Sequence, residues 1–151
     1  MVINETEDEV RQASERFYVA LNSVLNGDLR PMVEVWSHGS DVSVMHPFGD
    51  RALGWEEVRA SWEQATQAFS DGQAALDDLV VVPIADDVVY TLGTDHGQMK
   101  VGDQPVLIDG RVTTIYRREG GGWKIVHHHT DVSQTMVEAE ARARLEVEQD
   151  Q

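Results

Sequence analysis

The sequence predicts an α+β fold, with helices packed on one face of a curved antiparallel sheet and a conical cavity between them. Three observations predict it. Apolar residues recur at helical spacing in the early part of the chain, they alternate with polar ones through four long runs after Gly72, and only short turns join those runs. Strands connected by tight turns pair antiparallel, and the preceding helices must cover one face of the sheet. A sheet curled over helices encloses space, which is a natural ligand pocket.

The first helix is expected over residues 4–26. Asn4 and Glu7 have the spacing of a capping box, and Gly27 is a natural stop. Val10, Ala13, Phe17, Leu21 and Val24 form its apolar stripe. A short second helix follows Asp28 as N-cap, with Pro31 in its first turn and Trp36 near its end. From Asp41, "DVSVMHP" alternates, so Val42, Val44 and His46 share one face and Ser43 and Met45 the other. Pro47, Gly49 and Asp50 then end the strand in a turn.

"GWEEVRASWEQATQAF" is the third helix, with Trp55, Val58, Trp62, Ala65 and Phe69 on a single side. Strands follow over 74–85, 88–99, 105–118 and 122–132, separated by "ADD", "VGDQP" and "EGGG". From Ser133 to about residue 149 the chain turns helical again. Glu138–Arg142 and Glu140–Arg144 support that helix as i,i+4 pairs, but its apolar face is thin, so fraying or packing on a partner subunit is expected.

The whole chain, 1–151, is expected to be a single domain with its core over about 5–133. Twelve basic against 27 acidic residues leave a net charge of −15, which disfavours nucleic acid and anionic membrane surfaces as partners. The absence of cysteine excludes thiol nucleophiles, disulfides and thiolate metal sites. The N-terminus "MVINETEDEV" has no apolar signal region, and "LVVVPIA" from Leu79 is too short to span a bilayer, so the cytoplasm is the expected location. "EGGGW" lies between two strands and is a hairpin turn, not a phosphate cradle, and no Gly-x-Ser-x-Gly elbow exists.

Two segments carry a family resemblance: "VSVMHPFGDRALGWEEVRASW" and "RVTTIYRREGGGWKIVHHHTDVS". The chain resembles the SnoaL-like and ketosteroid-isomerase-like members of the nuclear-transport-factor-2-like superfamily. The second segment is also similar to the closing hairpin of the calcium/calmodulin-dependent kinase association domain. The resemblance implies a cystatin-like α+β barrel and a homodimer paired through the outer sheet face. It leaves the activity open, because the superfamily hosts isomerases, dehydratases, cyclases, hydrolases and pure association modules.

The resemblance places His46, before "PFG", where the ketosteroid isomerases carry a catalytic aspartate. An imidazole there can serve as general acid or base, the alternative being a half-buried strand histidine without chemistry. Alternation puts His127 and His129 on one face of the last strand with Trp123 and Ile125, and turns His128 outward, if no bulge intervenes. His129 and Arg111 are then candidates to stabilise negative charge on a substrate oxygen, although Arg111 would equally suit a structural ion pair. Thr113 shares the face of Arg111, Tyr18 is a candidate pocket donor by resemblance, and Trp36, Trp62 and Phe69 are apolar walls. Asp95 and His96 face opposite ways, and His96 joins the site if it faces inward.

The expected function is cofactor-free acid–base proton transfer on an apolar carbonyl or hydroxyl compound, an isomerase, dehydratase or cyclase. The alternatives are a ligand-binding or association module, and a hydrolase or lyase with a divalent metal on His46, His127 and His129.

Overall fold

The computed structural model describes residues 2–149. Helix α1 (Val2–Val24) is followed by α2 (Arg30–Val35), the short strands β1 (Ser43–Met45) and β2 (Ala52–Leu53), and α3 (Trp55–Ala68). Four long strands come next, β3 (Ser70–Ala85), β4 (Val88–Val101), β5 (Gln104–Glu119) and β6 (Gly122–Thr130), and α4 (Gln134–Gln149) ends the chain. All six strands form one sheet in the order β2-β1-β6-β5-β4-β3.

Of the stripe read from α1 the fold buries Val10, Ala13, Phe17 and Val24, together with Ala20, against the concave side of the sheet, while Leu21 is only partly buried. The helix begins at Val2, before the expected Asn4, and the expected side-chain cap from Asn4 lies outside the described side chains. At α2 the helix starts two residues after Asp28, whose carboxylate accepts the Arg30 N–H at 3.1 Å and so caps it from just outside. Helix α3 buries Val58, Trp62 and Ala65.

The sheet departs from the expected all-antiparallel pattern at one seam. β1 runs parallel to β6, pairing Ser43, Val44 and Met45 with His127, His128 and His129. Chain order hides this pair, because one short strand, one helix and three long strands separate its members in the sequence.

The curvature comes from interruptions of the ladder. β3 shifts register three times against β4, once between Pro83 and Ala85 and twice near residues with positive φ, Asp71 at 49° and Asp78 at 58°. Between those points α1 closes on the strand: Asn22 Oδ1 accepts the Ala74 N–H at 2.7 Å, and Asn26 Nδ2 donates to Gly72 O at 2.9 Å. β5 and β6 shift register once more, since Ile115 pairs with His127 while Tyr116 pairs with Ile125, which leaves Val126 as the extra residue.

Gly97 of β4 approaches the β3 backbone too closely for a side chain. Its φ is +152°, and a Cβ built there would stand 1.9 Å from the carbonyl oxygen of Gln73. Backbone cannot yield as a flexible side chain can, so Gly97→Ala is expected to destabilise the fold by about 2–3 kcal/mol, the scale of a strained backbone position plus a steric clash. Chemical denaturation compares the two proteins, and an unchanged midpoint would show that the strand moves aside freely.

A buried acid–histidine cavity

Between the concave sheet and the helices lies a cavity of about 60 Å³. Leu21 and Val24 of α1, Trp62 and Phe69 beside α3, and Met99 and Ile108 of the sheet make it apolar. His46, Asp95, His128 and Thr130 supply its polar wall, Asp109 also lines it, and Met136 of α4 covers one side. The start of α4 is tied down by the Ser133 N–H, which donates to Pro47 O at 2.8 Å.

His46 reaches the cavity because β1 keeps the alternation that buries Val42 and Val44. Its ring stacks near Phe48 at 5.7 Å and meets the edge of Trp62 at 4.6 Å. Nε2 lies 3.0 Å from Ser61 Oγ on α3. Burial among these rings lowers its pKa to about 4, so the imidazole is neutral at neutral pH.

Asp95 enters from β4, on the same parity as the buried Val89, Thr91, Met99 and Val101. Among the described residues no Lys or Arg lines the cavity beside it; the Tyr18 phenol donates a hydrogen bond to its Oδ1. Burial raises the Asp95 pKa to about 6, with the Tyr18 bond and then the neighbouring His96 holding it partly back, and burial together with Asp95 pushes the Tyr18 phenol far up. Tyr18 therefore stays a proton donor across the physiological range.

His128 is the third ionisable group, packed 4.6 Å from the Phe17 ring. Its Nδ1 is 2.9 Å from Thr114 Oγ1 and its Nε2 is 3.4 Å from Thr130 Oγ1. Burial first, then the neighbouring His46, His127 and His129, lower its pKa to about 3.

The orientation expected for the triple histidine is reversed. Trp123 and Ile125 face the core as read, but the extra residue Val126 shifts the parity, so His128 points in and His127 and His129 point out. On the outer face His127 bonds Ser43 Oγ at 2.7 Å and lies 6.2 Å from the His129 ring. Arg111 is also outside, paired with Asp131 at 2.7 Å, and Thr113 sits in the outer ladder between Leu92 and His129. His96 faces out with Asp77 at 2.7 Å.

Trp36 belongs to the core behind Trp62, whereas Trp62 and Phe69 are cavity walls. His46, His127 and His129 therefore do not converge, and among the described residues no three His, Cys, Asp or Glu side chains form a metal cage. Sequence reasoning missed Asp95, although the alternation of β4 carried its signal, and misjudged His128, for which the bulge left none.

These shifts couple to stability. Both histidines take up protons more readily unfolded, near 6.5, than folded, so they cost stability as pH falls from 6.5 towards 4. Asp95 acts oppositely, because its folded pKa lies above the unfolded value of 3.8 and it gains stability as pH falls through about 6. His128→Gln is expected to flatten the fall of Tm between pH 6.5 and 4.5, and Asp95→Asn to steepen it. Curves parallel to wild type would contradict these burials.

Comparison with known proteins follows the same lines. The model of the SnoaL-like domain family matches residues 10–133. No curated protein matches the chain. Among solved structures, a calcium/calmodulin-dependent protein kinase type II association domain from Thiobacillus denitrificans is similar at 27% identity and TM-score 0.66, over 81% of this chain and 93% of that one. A dehydratase of the NTF2-like family from Streptomyces avermitilis is similar at 21% identity and TM-score 0.73, over 87% and 98%. LinA is similar at 15% identity and TM-score 0.71, over 85% and 86%. No described helix is long and apolar enough to cross a membrane.

Proposed function

The chain belongs to the SnoaL-like domain family, and from that premise we propose that it is an acid–base enzyme moving a proton on a small uncharged molecule, with dehydration or isomerisation as the outcome. The observation that supports this reading is the carboxyl of Asp95, buried in an apolar cavity that no described Lys or Arg lines, its pKa raised to about 6. A base poised near the working pH combines a useful ionised fraction with the strength to take a proton.

In this reading the Asp95 carboxylate removes a proton from carbon. In a dehydration it then returns that proton to the departing hydroxyl, so that water leaves and a C=C bond forms; in an isomerisation it returns the proton to another carbon. Tyr18 holds Asp95 by its hydrogen bond and tunes its basicity. The neutral His46 and the phenyl and indole walls of Phe69 and Trp62 orient the molecule and exclude water. Arg111 and His129 are left without a part in this chemistry, because they lie on the other side of the sheet. The proposed chemistry uses only the chain's own groups.

Asp95→Asn is expected to lower kcat by about 10²–10⁴-fold on any substrate found by screening uncharged hydroxy and carbonyl compounds. Turnover that survives the change would exclude Asp95 as the base. Tyr18→Phe removes the bond that holds the Asp95 pKa down, so the acid limb of kcat/KM should move to higher pH. A limb that stays in place or moves down would refute that coupling.

A second reading, an association module, has its own observation. On the outer face two rows run across the strands, Val80–Leu92–Thr113–His129–Met45 and Val82–Tyr90–Ile115–His127–Ser43. Leu92 is 41% exposed and Val80 49%, an apolar surface suited to a second copy. Light scattering should then find a dimer that Leu92→Asp reduces to monomer; a monomeric wild type would remove this reading.

A further inference from the structure

We infer that Ser61 locks His46 in the Nε2–H tautomer, so that the cavity offers its ligand hydrogen-bond acceptors and takes a molecule that brings a hydroxyl group. The argument follows one proton. Ser61 Oγ lies 2.7 Å from Val58 O, which can only accept, and 3.0 Å from His46 Nε2. The hydroxyl has a single proton, and the shorter contact to the carbonyl takes it. Oγ then meets Nε2 with a lone pair, so Nε2 carries the ring's hydrogen. Because a neutral imidazole has one N–H, Nδ1 is left as a bare acceptor.

Nδ1 has no partner among the described residues, yet it is not sealed off. Among the described residues the only buried side-chain nitrogens or oxygens without a partner and closed to solvent are the indole Nε1 atoms of Trp36 and Trp62. As His46 lines the cavity, its Nδ1 opens there. The same reasoning holds for Asp95: Oδ1 takes the Tyr18 proton, and Oδ2 is unpartnered but open. Of the other polar groups of the wall, His128 and Thr130 already face each other and the exposed Asp109 is a carboxylate, and among the described residues no Lys or Arg lines the cavity.

The open polar atoms are thus acceptors. A bare ketone, an ether or a carboxylate would set acceptor against acceptor in a dry site, which costs the desolvation of both. A hydroxyl supplies the missing proton to His46 Nδ1 and leaves Asp95 facing the rest of the molecule. This refines the acid–base reading above by naming its substrate class, an uncharged hydroxylated compound. Ser61 is a positioning residue, acting through His46.

Two-bond ¹H–¹⁵N correlation at pH 7 reads the tautomer directly. Wild type should show His46 with Nε2 protonated and Nδ1 bare, Ser61→Ala should release that preference, and Ser61→Thr should restore it. Phenol and anisole, which differ by one methyl on the oxygen, then test the ligand: phenol should shift His46 Nδ1 and bind about tenfold more tightly, and benzoate should not compete. A wild type protonated at Nδ1 would overturn the tautomer. Equal affinity for the two rings, or no binding of either, would overturn the ligand class. Neither readout needs turnover, so a protein that binds hydroxyl compounds and converts none would sink the enzyme reading and leave this one standing.

Discussion

The sheet can enclose a cavity only because it bends, and it bends where an extra residue or a glycine breaks the ladder. A regular six-stranded sheet twists but stays open. Here the register shifts of β3 against β4, with the Gly97 contact between them, curl the long strands round α1. The bulge at Val126 then turns the end of β6, so that β1 can lie parallel to it and carry His46 towards the interior. Every polar group of the cavity depends on this. Asp95 points inward on a strand that curves past α1, His128 points inward because of the bulge, and His46 stands on the short strand added at the seam.

Besides the exposed Asp109, the cavity holds three ionisable side chains in apolar surroundings, an arrangement that works against stability. Burial drives both histidines to give up their proton and drives the aspartate to keep one. The fold meets the demand for hydrogen bonds locally, with Ser61 for His46, Tyr18 for Asp95 and two threonines for His128. Among the described residues it brings no Lys or Arg to the cavity wall.

The −15 charge lies elsewhere. Arg30, Arg111, Arg117 and Arg118 are each tied to surface carboxylates, and Arg118 also covers the Trp123 ring at 4.6 Å. These exposed pairs contribute little individually. They do keep the guanidinium groups on the outside, which is why Arg111, a reasonable oxygen clamp on the strand pattern alone, is an ordinary surface pair with Asp131. I,i+4 pairs such as Glu140–Arg144 hold α4 in the same way, while Met136 and Ala139 attach it to its own chain.

By itself the sequence determined the element order, the stripes on α1 and α3, the four long strands and the inward face of β1, because helical and alternating periods follow from local backbone geometry alone. The same alternation already held Asp95, at odd parity with Val89, Met99 and Val101, so its place was legible and only overlooked. Tertiary structure alone decided the parallel seam and the parity of "HHH". A single unpaired residue, Val126, reverses every side chain that follows it, and what selects the bulge is the packing of a curved sheet against α1 and β1, which no local pattern encodes. Tertiary structure also set the proton positions, since the tautomer of His46 and the pKa of Asp95 depend on Ser61 and Tyr18, residues brought to them from other elements.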